Sequence, residues 1–234
     1  MNVLAFDTCL GAVSAAVRWR VAGGAWQAAE RFEVRAGGHA ERLMPMVAEV
    51  MGEAALAFSA LDRIAVTVGP GSFTGVRVGV AAARGLALAS GLPVVAASSL
   101  SVMARGAAEL LAAEGDGRLL VVAVDAHKGM IYAELFEQAQ GEAGQPALLA
   151  PGEVAALIGA RAAIVVGSGA DAVCRAVAAA GGQAEARLPD LQPHARALTL
   201  MATDLAPVAS LRPLYLRPPD VKPQADKSLA RAAP

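Results

Sequence analysis

Leu4-Ala5-Phe6-Asp7, with Gly11 four positions after the aspartate, and Val122-Ala123-Val124-Asp125, with Gly129 at the same distance, carry one pattern twice. Each is a short apolar run, then an acid, then a glycine, then a second strand-like run over residues 12–19 or 131–136. A short apolar run closed by a turn-forming acid reads as a buried strand entering a turn. The same plan met twice in one chain predicts two similar units, each built on its own sheet.

Working outward from the first run, residues 27–32 read as a third strand, with Gly23-Gly24 as the hairpin turn before it. Helices are predicted over 39–53, 73–88 and 99–113, alternating with strands over 64–68 and 94–97. Glu114-Gly115-Asp116-Gly117 marks the passage to the second unit. There, strands over 119–124, 131–136 and 163–166 alternate with helices, the last two over 171–180 and 194–205. Strands followed by alternating helices and strands, repeated once, predict an α/β fold of two lobes with a cleft between them. The expected divisions are 1–113, 114–221 and a mobile tail over 222–234.

Composition narrows the function. Hydrophobic residues make up 56% and charged residues 18%, so much apolar surface must be covered by the fold or by another subunit. The longest small-apolar run, residues 78–92, contains Arg84 and three glycines and stops at Pro93, which argues against a membrane span. The first six residues lack the basic flank and long apolar run of a signal peptide, and the two cysteines, Cys9 and Cys174, form no pair motif. A cytoplasmic protein is expected. Net charge is −1, so no general attraction to nucleic acid is built in. Arg212, Arg217, Lys222 and Lys227 are left as candidates for minor phosphate contacts.

Several residues are candidates for chemistry. Asp7 and Asp125 would end their strands facing each other across the cleft, placed to organise a metal ion and phosphates. The competing reading is that each caps its own turn. Thr8-Cys9-Leu10-Gly11 has one glycine and no lysine, which makes it a poor phosphate cradle. Gly167-Ser168-Gly169 lacks the full spacing of a nucleophile elbow, and Gly167 and Gly169 join Asp7 and Asp125 as weak cleft candidates. The three histidines, His39, His127 and His194, are far apart and form no metal-binding pair. No catalytic residue and no metal site is assigned.

Gly69-Pro70-Gly71-Ser72-Phe73-Thr74-Gly75 follows a strand and opens a helix, with Ser72 placed to cap it. It is not a phosphate-binding P-loop, because Gly75 is followed by Val76 and Arg77 rather than lysine and a hydroxyl residue. From Arg63 to Ala108 there are four arginines and no acid, and Arg77 and Arg84 share one helix face with Ala81. On the preceding helix Leu43, Met46, Val47, Val50 and Met51 form a broad apolar stripe, and Met44 falls outside it. The stripe suits a sheet, and the apolar excess suits a partner helix.

The chain resembles the TsaB (YeaZ) family. The likeness is carried by the Gly69–Leu88 stretch, the opening Leu4-Ala5-Phe6-Asp7-Thr8, residues 39–45, Ser98-Ser99-Leu100, Val124-Asp125-Ala126 and Pro213-Leu214-Tyr215-Leu216-Arg217. It implies an actin/Hsp70/sugar-kinase-like fold of two RNase H-like lobes. It implies a non-catalytic scaffold subunit that needs no cofactor of its own. That subunit heterodimerises with the catalytic paralogue TsaD and recruits the ATPase TsaE, and the partners hold ATP and metal. The complex transfers threonylcarbamoyl to N6 of adenosine 37 in tRNAs reading ANN codons, so this chain meets tRNA only indirectly. Alone, it is expected to form a homodimer. The implied partner face uses both helices: His39, Leu43, Met46, Val47, Val50 and Met51 on the first, Phe73, Arg77, Val80, Ala81 and Arg84 on the second. A charge at Met46 or Val80 is accordingly expected to break the complex. The alternative is an enzyme of the same fold, a nucleotide-using phosphotransferase or a peptidase.

Overall fold

The computed structural model describes residues 1–21, 24–111, 117–136 and 144–217. The first sheet contains β1 (Val3–Asp7), β2 (Ala12–Arg20), β3 (Trp26–Val34), β4 (Arg63–Thr67) and β5 (Val94–Ala97), in the order β3-β2-β1-β4-β5. β1 runs antiparallel to β2 and parallel to β4. The second sheet contains β6 (Leu119–Asp125), β7 (Ile131–Phe136), β8 (Ala147–Leu149), β9 (Ala163–Val166) and β10 (Ala184–Arg187), in the order β10-β9-β6-β7-β8. β6 is antiparallel to β7 and parallel to β9. Read from opposite ends the two orders match, so the duplicated pattern at Asp7 and Asp125 does mark two units of one topology. The fold is the two-lobed α/β arrangement expected, with a mixed sheet and flanking helices in each half.

The helices fill the layers around and between the sheets. α1 (His39–Glu53) and α2 (Phe73–Ser90) cover one face of the first sheet, meeting Leu4, Phe6, Val13, Ile64 and Val66. α4 (Pro151–Ile158) and α5 (Ala170–Ala179) cover the outer face of the second. Between the sheets lie α3 (Ser99–Leu110) and α6 (Ala195–Met201). α3 sets Leu100, Met103 and Ala107 on Leu120, Val122 and Ile164 of the second sheet, while its Val102 joins α6 against Val3, Ala5 and Ala65 of the first. Central strands covered on both faces must be apolar at every position, which is why β1 and β6 read as unbroken runs.

Two expectations change. The division at residue 114 does not hold for the end of the chain: α6 packs on the first sheet through Ala195, Ala197 and Leu198, and the Ala195 amide donates to Ser14 Oγ at 2.9 Å. Residues 208–214 continue along that lobe, with Val208 N–H bonded to Val94 O and Leu214 N–H to Val68 O. The short edge strands β8 and β10 were not predicted, since three residues, or the polar run Ala-Glu-Ala-Arg, give no periodic signal. The turn residues Gly23 and Glu114 to Asp116, Lys222, Lys227 and the predicted tail over 222–234 lie outside the described residues. Among the described residues no helix is long and apolar enough to cross a membrane.

Candidate functional site

The two aspartates that the repeat aligns end in opposite environments. Asp7 is fully buried. Its Oδ1 accepts from the Thr67 hydroxyl and from the Cys9 amide at 3.3 Å, while Oδ2 has no partner among the described residues. Burial outweighs these bonds and pushes its pKa up to about 6. The Cys9 thiol donates to Thr67 Oγ1 at 3.2 Å, and burial, then the charge of Asp7, push it well above the usual thiol range. Such a thiol is no nucleophile at neutral pH.

The glycine-rich loop is what seals them. A Cβ at Gly75 would lie 2.1 Å from the Thr8 carbonyl oxygen, and one at Gly71 would lie 2.1 Å from that of Cys9. Glycine at both positions lets the loop and the start of α2 land directly on the β1–β2 turn. Thr8 Oγ1 donates to Gly75 O at 2.6 Å, and Ser72 caps α2 by accepting from the Gly75 amide at 3.0 Å, as its position predicted. The loop backbone thus lies directly on Thr8 and Cys9, while Leu10 and Gly11, further along the turn, stay open to the cavity between the lobes.

Between the lobes lies a cavity of about 940 Å³. Ser72, Phe73 and Arg77 line it from one side and Asp125, His127 and Tyr132 from the other, with residues 214–217 closing part of the wall. Asp125 is exposed at its rim, and its Oδ1 accepts the His127 amide at 2.8 Å, the turn-capping role weighed against phosphate binding. Its own amide donates to Ser168 Oγ at 3.1 Å. The two aspartates therefore do not face each other, and Asp7 does not line the cavity. Neither do Gly167 and Gly169: both are buried on Ala123, and only Ser168 between them reaches the cavity. Among the described residues no three His, Cys, Asp or Glu side chains gather as a metal site would require.

The helical candidates divide by face. Leu43, Met46, Val47, Val50, Met51 and Val80 are buried in the first lobe's own core, so none is free to touch another chain. A charge at Met46 or Val80 would unfold the lobe, and loss of a complex would then report folding alone. His39 is half-buried, with Nε2 3.0 Å from Leu10 O, and pins the start of α1 to the β1–β2 turn. The outer face carries Met44 on α1 and Phe73, Arg77, Ala81, Arg84 and Leu88 on α2. Arg84 is engaged, donating from its guanidinium to Leu211 O, with Nε at 3.1 Å. Arg77 Nε donates to Tyr215 Oη at 2.9 Å, and its guanidinium lies 3.7 Å from the Phe73 ring centre. These two arginines thus hold the returning C-terminal segment.

Sequence reasoning missed that segment as part of the site, although Pro213–Arg217 was among the resemblance-bearing stretches. It also missed Glu134 of β7. This buried carboxylate accepts from Ser98 Oγ at 2.9 Å and Ser101 Oγ at 3.0 Å at the N-terminus of α3, and so joins the lobes; burial raises its pKa. Its signal was a single acid inside an alternating strand.

A family profile described as TsaD, tRNA N6-adenosine threonylcarbamoyltransferase, matches residues 33–180. The tRNA threonylcarbamoyladenosine biosynthesis protein TsaB of Haemophilus influenzae is 37% identical over 132 residues, covering 56% of this chain and 52% of the relative. The chain thus spans about half the length of that curated relative. An uncharacterized protein of Mycobacterium tuberculosis is 34% identical over 234 residues, covering 96% of this chain and 95% of that one. The solved structure of YeaZ from Pseudomonas aeruginosa superposes with a TM-score of 0.73 at 32% identity, covering 92% of this chain and 99% of that one.

Proposed function

Because the chain belongs to the TsaB/YeaZ family, we propose that it acts in tRNA threonylcarbamoyladenosine biosynthesis as a non-catalytic scaffold. In this reading it heterodimerises with a TsaD subunit that performs the transfer to N6 of adenosine 37, and recruits the ATPase TsaE. ATP and metal would be held by those partners. It would pair with itself when they are missing, and would meet tRNA only through the complex.

The observation that carries this reading is the outer face of α2. The helix runs 18 residues without Asp, Glu or Lys. Leu88 is 89% exposed, Phe73 is 43% exposed, and Ala81 and Gly85 lie exposed between them. On α1, Met44 and Ala48 are exposed as well. Small residues let a partner helix approach closely, and large exposed apolar ones gain most from being covered. A stable interface needs roughly 1,200–2,000 Å² in total.

The test is co-purification of the full chain with TsaD, followed by assay of modified adenosine. Ala81→Glu and Leu88→Glu are expected to weaken association at least tenfold and lower modification to match. Their thermal melting should stay at the wild-type value, since both positions face solvent in the monomer. Wild-type recovery of TsaD by both variants would sink the reading.

A further inference from the structure

The cavity between the lobes carries a charge pattern that a scaffold role leaves unused. At its mouth, Arg77 is held twice, by the Phe73 ring beneath its guanidinium and by the bond from Nε to Tyr215 Oη. The two rings are themselves 5.3 Å apart. A guanidinium fixed in this way has already lost most of its side-chain freedom, so a ligand that meets it needs little further ordering. Arg77 makes no ion pair among the described residues. Two more sources of positive potential lie beside it. The N-terminus of α2 opens at Ser72 with no acid in its first turn, and Arg217 lines the cavity while donating to Ala126 O at 2.8 Å. The carboxylate that lines the cavity, Asp125, is occupied in part by the His127 amide. Leu10, Val124, Leu191, Leu214 and the ring of Tyr132 give the remaining wall an apolar part, beside the polar side chains of His127, Ser168 and Gln192.

We infer that this cavity binds a small organic anion with a flat apolar body. Its carboxylate or phosphate lies on Arg77 and the start of α2, and its body lies against Tyr132 and the leucines. The volume of about 940 Å³ is in the range of sites that enclose such molecules. Fixed positive groups at one end of an apolar chamber select charge as well as shape, because a neutral analogue leaves the guanidinium unpaired. The inference does not rest on the scaffold reading, since binding is read on the chain alone.

The test is calorimetric titration of the full chain with 1-naphthoate, 1-naphthyl phosphate and neutral 1-naphthol. At least one anion should saturate at one per chain, with 1-naphthol at least tenfold weaker. The preferred anion then identifies the head group. Arg77→Gln should weaken that anion at least tenfold, whereas Arg175→Gln, on α5 away from the cavity, should leave it unchanged. Circular dichroism melting checks that each variant is folded. Three outcomes would each overturn the inference: no saturable binding of either anion up to 1 mM on the order of an ordinary weak metabolite affinity, 1-naphthol binding as tightly as the anions, or Arg77→Gln titrating like wild type.

Discussion

The ends of β1 and β6 are the same structural position in two copies of one topology, yet Asp7 is sealed and Asp125 stands at the rim of a cavity. What differs is the loop that crosses each of them. After β4, Gly71 and Gly75 bring backbone onto the Thr8 and Cys9 carbonyls and close the space over those two residues. After β9, Gly167 and Gly169 land instead on Ala123, two residues before the acid, and Asp125 is left open with only the Ser168 hydroxyl on its amide. The same acid is thereby a buried group with a raised pKa in one lobe and a solvated turn cap in the other. A repeat in sequence reproduces a backbone path; it does not reproduce an environment.

The sharpest way to break this comparison is to spoil the seal. Gly75→Ala places a Cβ where the Thr8 carbonyl stands, so the loop or the turn must move, and a loss of about 3 kcal/mol or more in urea unfolding is expected. In the other lobe Gly129, in the β6–β7 turn that no such loop covers, has a φ of +75° and open space around it. Gly129→Ala should cost only about 1 kcal/mol, from the left-handed backbone alone. Equal losses in the two variants would mean that the seal does not exist.

The next effect is electrostatic. The Asp7 pKa is raised from 3.8 to about 6 in the folded chain. The folded state therefore holds the proton more tightly than the unfolded one, and its contribution to stability is full below about pH 4 and lost as pH rises through 6. Asp7→Asn removes this dependence. Between pH 4 and pH 7 the stability difference between the two proteins should move in favour of asparagine by up to about 3 kcal/mol. Unfolding midpoints measured across that range decide the matter. The smallest change is Ser168→Ala, which removes one acceptor from an amide near solvent and should cost about 1 kcal/mol in the same assay.

Much of the architecture was legible. Apolar runs at β1, β4, β6 and β9 announce strands covered on both faces, and Ser72 before the apolar start of α2 announces its cap. The stripe of Leu43, Met46, Val47, Val50 and Met51 was legible as a face suited to a sheet, and the structure buries it there; only the resemblance had also placed it in a partner face. Periodicity says that apolar residues share a side of a helix, and it is silent on whether a sheet of the same chain or another chain covers that side. The return of residues 194–217 to the first lobe was hidden for a related reason: nothing in a local window tells a helix which sheet it will meet.

Taken alone, the sequence determined local order, the duplication, the places where glycine is required, and a surplus of apolar surface. The tertiary structure alone decided which aspartate is dry, which helix faces are free, and where Arg77 points. Those properties depend on contacts between segments far apart in the chain, such as Thr8 with Gly75, 67 residues on, and Arg77 with Tyr215, 138 residues on. Burial, charge state and exposure are set by what lies against a residue in space, and the neighbours in sequence do not specify it.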